Sequence, residues 1–137
     1  MPTKWMMSAI AVAMGLAGLA ATFLPEEIVA WSGRTSDGTG DAIATLLVQV
    51  AGGLYLGFAM LNWSVREMVV GGIYNRPVVL GNLLHLTVVG LTLLRTVAAG
   101  ERRPAWIAAS LLYLIFGVWF ARVLVSSPAS HTSARSG

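Results

Sequence analysis

The chain has 137 residues, enough for one domain, of which 56% are hydrophobic and only 11% charged, and its mean hydropathy is +0.74. A soluble domain carries about 25% charged residues, so lipid rather than water is the expected main solvent. The net charge of +3 is scattered in ones and twos and makes no basic face for nucleic acid, and the absence of cysteine excludes disulfides, thiolate metal sites, iron–sulfur clusters and cysteine nucleophiles.

Charge-free runs set the architecture. There are 21 uncharged residues between Lys4 and Glu26, 24 between Asp41 and Arg66, 18 between Arg76 and Arg95, and 18 between Arg103 and Arg122. Crossing roughly 30 Å of hydrocarbon takes about 20 apolar residues in a helix. Four crossings are therefore predicted, near 5–24, 42–63, 77–97 and 104–125. The competing reading, a soluble bundle, would need on each helix the broad polar face that a water-facing surface demands, and none has one. The expected fold is an all-α integral membrane protein: a four-transmembrane-helix bundle in one domain over 1–125, with a short interfacial helix after the first span and a polar tail over 126–137.

The first apolar run follows Lys4 in the manner of a signal peptide, but it exceeds the roughly 7–15 residues of such a segment, so the helix is expected to be retained. Ala9, Ala13, Ala17 and Ala21 recur every four residues along it, with Gly15 and Gly18 alongside. In 25-PEEIVAWSG-33, Pro25 suits a first helical position and Glu26 and Glu27 suit the first turn of a short helix lying in the headgroup region. The segment 34-RTSDGTGD-41 reads as a polar loop, with Asp41 capping the second long helix. That helix carries Gly53 and Gly57 as a GxxxG, extended backwards along the same ridge by Thr45 and Gln49.

Gly71 and Gly72 break the next connection, Asn75 is a good cap, and Pro77 fits the first turn of the third span. Gly100 and Pro104 bracket a tight hairpin into the fourth, where Ala105, Ala109, Tyr113, Gly117 and Ala121 form a further ridge. Small residues at this spacing let backbones approach closely in lipid, where packing has to replace the hydrophobic effect. Some ridges are expected to serve the bundle itself and one to face another protein. Trp5, Trp31, Trp63, Trp106 and Trp119 are read as an aromatic belt at the membrane boundaries.

Chemistry-bearing side chains are few. His85 falls about two turns beyond Pro77, inside the third crossing, with Asn82, Val89, Thr92 and Thr96 on the same face. An intramembrane imidazole is a candidate ligand for haem or a pigment magnesium, a hydrogen-bond donor to a quinone, or a proton relay. The structural alternative is an interhelical hydrogen bond to Thr45, Gln49, Tyr55 or Tyr113. The other histidine, His131, lies in the tail, so a bis-histidine haem within one chain is excluded. Arg66, Glu67 and Arg76 flank the second connection at headgroup level. A cation at a helix start is disfavoured by the dipole, so Arg76 calls for Glu67 or a lipid phosphate as partner. No Asp or Glu falls inside a charge-free run, and there is no phosphate-binding glycine loop, so no catalytic or metal site is expected.

The motifs 52-GGLYLGFAMLNW-63 and 71-GGIYNRPVVLGNLLH-85 resemble those of a family of small bacterial four-helix membrane proteins. The likeness spans roughly 24–95 and implies four membrane helices in a bacterial inner membrane, without any activity to carry over. Size and topology are also similar to DoxX-like proteins, in architecture only.

Two function classes follow. In one, the chain is a non-catalytic accessory subunit without cofactor, in contact with the bilayer and with other subunits of a larger membrane assembly, such as a photosynthetic or respiratory complex. In the other, it binds a lipophilic ligand or cofactor (haem, pigment or quinone) through His85 and Asn82. With four crossings, Lys4, Arg66, Arg76, Arg122 and Arg135 share one side with both termini, against Arg34, Arg95, Arg102 and Arg103 on the other. Five against four is a narrow margin by the positive-inside rule. The acidic first loop, with Glu26, Glu27, Asp37 and Asp41, leans the same way, and the expected orientation has both termini in the cytoplasm.

Overall fold

The computed structural model describes residues 2–32, 39–67 and 75–126, which form helices and the short links between them. The elements are α1 (Pro2–Phe23), α2 (Pro25–Trp31), α3 (Thr39–Val65), α4 (Asn75–Ala98) and α5 (Pro104–Ser126). Four of them are long and apolar enough to cross a membrane: Lys4–Phe23, Asp41–Val65, Arg76–Ala98 and Pro104–Val125. These bounds lie within a few residues of the charge-free runs, and the chain is an all-α, multi-pass membrane protein. The helices fall into two compact units, Met1–Glu67 and Met68–Gly137.

In the first unit α1 and α3 run antiparallel, and two glycines set how closely they meet. A Cβ on Gly52 would fall 2.5 Å from Thr22 Oγ1 and 2.7 Å from Thr22 N; one on Gly18 would fall 2.9 Å from Gly52 O. No larger residue fits without parting the backbones. Gly15 faces Ala59 at an ordinary 3.7 Å. The expected ridge of Gly53 and Gly57 does not serve this hairpin, because a Cβ at either position meets nothing within 4 Å. Adjacent glycines on a helix point about 100° apart, so contact through Gly52 turns Gly53 away. On α1, Ala9 and Ala17 are exposed and Ala13 and Ala21 half-buried, so the alanine ridge runs along the flank of the contact.

Only Leu24 separates α1 from α2. Its N–H still donates to Ala20 O at 2.8 Å, yet its own φ of −127° and ψ of 44° leave the helix. Pro25 imposes this, since its ring disfavours the helical conformation in the residue before it and it has no N–H to continue the ladder. α2 then starts with Pro25 in its first turn and with Glu26 and Glu27 at its positive end, as expected. Val29 is buried, α2 packs on α3, and the Ser32 hydroxyl donates to Val29 O at 2.6 Å to close the far end. α3 begins at Thr39, so Asp41 sits in its first turn rather than capping it.

The second unit is the α4–α5 hairpin. α4 ends in a Schellman motif: Glu101 N donates to Thr96 O at 3.3 Å and Gly100 N to Val97 O at 3.1 Å. Gly100, at φ 116°, is the turn residue no other type adopts comfortably. Arg103 O accepts from Trp106 N and Ile107 N, and Pro104 opens α5. Between the helices, a Cβ on Gly90 would come within 3.0 Å of Leu114, while one on Gly117 would sit 3.8 Å from Leu86 Cβ and Thr87 Oγ1, in ordinary contact.

Several expectations fall outside the described residues: the loop 34–38, Gly71 and Gly72, Tyr74, the capping side chain of Asn75, and the tail over 127–137 with His131 and Arg135.

Candidate functional site

The polar stripe of α4 is in place, and helix geometry accounts for much of its hydrogen bonding. Asn82 is fully buried, and its Nδ2 donates to Val78 O at 2.8 Å. Thr92 and Thr96 bond back in the same way, to Val88 O at 2.8 Å and Thr92 O at 3.0 Å. Such i−4 bonds satisfy a polar side chain inside lipid without a neighbour from another helix. His85 stands one turn beyond Asn82. Its ring is tilted 54° against that of Tyr113 on α5, with centroids 5.9 Å apart, a spacing within the range of favourable aromatic pairs. Ser110 is buried nearby, its hydroxyl 3.5 Å from Gly90 O.

Of the partners considered for His85, Tyr113 is thus its ring neighbour, and Gln49 donates instead to Thr22 O at 3.3 Å within the first unit. Replacing His85 with leucine, which keeps the ring's approximate volume, is expected to leave the α4–α5 hairpin assembled. Polar contacts inside membranes average about 0.6 kcal/mol, so the loss should be of that size. Unfolding in mixed micelles measures it; loss of a bound chromophore or of several times that stability would instead mark His85 as a ligand.

A buried amide with the same habit lies in the other hairpin. Asn62 on α3 is completely buried, its Nδ2 2.8 Å from Phe58 O and 3.9 Å from Met14 Sδ on α1. The sequence signal was an uncharged amide one position before Trp63, which reads as part of the boundary belt rather than as interior.

The corner after α3 is more organised than its sequence suggests. Arg66 folds back so that its guanidinium lies 3.8 Å over the Trp63 ring while Nη1 donates to Trp63 O at 2.9 Å. A cation there both stacks on an indole and satisfies a carbonyl that the helix end leaves open. Glu67 pairs with Lys4 Nζ at 3.1 Å and lies 3.9 Å from Arg66. The antiparallel hairpin brings the start of α1 level with the end of α3, which is what makes Lys4 a partner of Glu67.

The Lys4 hydrogen bond and charge, with Arg66 behind them, hold the Glu67 carboxyl below the usual carboxylate range. A depressed carboxyl contributes stability above its unfolded value and loses it as pH falls through the folded one. The stability difference between wild type and Glu67→Gln is therefore expected at neutral pH, to fade below about pH 4, and to shrink in high salt, since the pair is exposed. Denaturation at graded pH checks it; a difference that persists in acid would contradict the pairing.

The remaining boundary residues are distributed unevenly. Trp5, Trp31 and Trp63 are exposed at the ends of α1, α2 and α3, and Trp106 is half-buried at the start of α5. Trp119 departs from the belt: it lies about two turns inside α5, stacked on Phe116 at 6.1 Å. Arg76 is exposed at the start of α4. Among the described residues, no three His, Cys, Asp or Glu side chains gather where a metal could be held. Compared with protein-family models, curated proteins and solved structures, the chain matches none.

Proposed function

We propose that this multi-pass protein is a non-catalytic accessory subunit that packs against other membrane-protein chains in a larger complex, of which respiratory and photosynthetic assemblies are examples. One observation carries the reading: the glycine face of α3 that the first unit does not use. Its hairpin is closed through Gly18 and Gly52, which leaves Gly53 and Gly57 exposed with nothing within 4 Å of a Cβ. Glycine in a helix interior costs about 1 kcal/mol relative to alanine. Two of them one turn apart on a face that the α1–α3 hairpin does not use fit a partner helix that needs a flat surface.

The family likeness and the charge balance support a bacterial inner membrane with both termini in the cytoplasm. The test is the double variant Gly53→Leu/Gly57→Leu, extracted in mild detergent beside the wild type. It should keep its helicity, because the space is open, and should elute as a smaller particle that has lost its partners. Co-elution unchanged from wild type would overturn the role assigned to this face.

A further inference from the structure

We infer that the side of α5 turned away from α4, at Arg122, is a binding site for an anionic phospholipid of the phosphatidylglycerol kind. An open hollow of about 560 Å³ lies there, lined by Val118, Ala121, Arg122 and Val125. Val118 and Val125 are exposed, whereas Gly117 and Phe120 are buried and Gly117 faces Leu86 of α4. The α4–α5 contact therefore leaves this side of α5 unused.

Two separate features name the occupant. The first is a charge without a counter-charge. Arg122 is exposed and lies inside the fourth span, about one turn from its end at Val125. A guanidinium does not give up its proton in proteins, and at that depth the falling dielectric makes a lone charge costly. Neither α4 nor α5 carries an Asp or Glu. From Met68 onward the sequence has six arginines and one acid, Glu101, which sits in the link at the opposite end of the hairpin and lies 3.6 Å from Arg103. Among the described residues Arg122 has no ion pair. The anion it needs has to come from outside the hairpin. The second feature is the wall beside it. Apart from Arg122 the lining is two valines and an alanine, which follow one another along a single stripe of the helix. Such a wall suits an acyl chain rather than a soluble anion. The guanidinium fork fits two oxygens of a phosphate. Choline and ethanolamine lipids carry the same phosphate, but their own cationic ends offset it; the glycerol head leaves its charge uncompensated.

The test uses the full chain reconstituted in nanodiscs of equal phosphatidylglycerol, phosphatidylcholine and phosphatidylethanolamine, with retained lipid measured by native mass spectrometry. The glycerol lipid should be retained about fivefold over either of the others, which is what one arginine near an anionic membrane surface is worth. Arg122→Gln should bring that ratio to about one. Arg102→Gln removes an exposed arginine from the other end of the hairpin, away from the hollow, and should leave the ratio unchanged. Excess inorganic phosphate should also leave it unchanged, because the acyl chain holds the lipid in place. Equal retention of all three lipids by the wild type, a preference that survives Arg122→Gln, an equal loss in the Arg102 variant, or displacement by phosphate would each overturn the assignment.

Discussion

Gly52→Ala is expected to destabilise the first hairpin by about 2 kcal/mol, in the range that overpacking costs in closely packed interiors. The added Cβ meets Thr22 N at 2.7 Å and Ala21 C at 3.0 Å, which are backbone atoms that no rotamer change can move aside. α1 and α3 would have to separate, and separation loosens every contact along the hairpin because dispersion falls steeply with distance. Gly18→Ala should act alike, meeting Gly52 O, Leu56 Cγ and Leu56 N at 2.9 Å each. Gly53→Ala and Gly57→Ala have open space and gain helix propensity, so each should be neutral or stabilising for the isolated chain. Unfolding of the four variants in mixed micelles distinguishes the pairs. Equal effects at Gly52 and Gly53 would show that the helices do not meet through Gly52.

Phe120→Ala carries the second large expected effect. Phe120 is the largest side chain to be fully buried among the described residues. Removing a buried ring costs roughly 3–5 kcal/mol in water-soluble cores. In a membrane, part of the transfer gain disappears because lipid is as apolar as the core, which leaves the cavity and lost dispersion. The expected cost is therefore about 3 kcal/mol, the low end of that range. Val118, two positions away, is exposed at 57%, and its replacement by alanine should change stability by less than about 0.5 kcal/mol. A Phe120→Ala variant as stable as Val118→Ala would place the ring in lipid.

These contrasts also show what was legible in the residues. Four spans could be read because lipid demands length without charge, and the runs from Lys4 to Glu26 and from Asp41 to Arg66 admit no other use. The kink at Pro25 could be read because proline acts locally on the residue before it. Which small-residue face makes the contact could not. Gly53 and Gly57 have the better spacing, yet Gly52 and Gly18 close the hairpin. Spacing states which faces permit close approach; the pairing of two helices decides which one is used. That pairing is seen at both ends, in the Lys4–Glu67 ion pair and the Gln49–Thr22 hydrogen bond, each across a long stretch of chain. For the same reason Lys4, far away in sequence, could not be read as a partner of Glu67.

In the candidate site, His85 and Asn82 were legible as a polar stripe, since few residues of α4 are polar. That the Asn82 amide turns back onto Val78 O depends on a rotamer that no sequence pattern states. Asn62 escaped notice for a related reason: beside Trp63, at the end of an apolar run, an amide looks wet. Its complete burial follows from the crossing of α1, whose Met14 lies against it.

The measurement closest to the central claim is the mass and absorption spectrum of the particle obtained when the wild-type chain is extracted in mild detergent. An accessory subunit should elute in a particle several times its own 14.5 kDa, in fixed ratio with other membrane proteins. It should also carry no haem, pigment or quinone in proportion to this chain. A lone chain with one such molecule bound per copy would contradict that reading and return His85 and Asn82 to the centre of the protein's function.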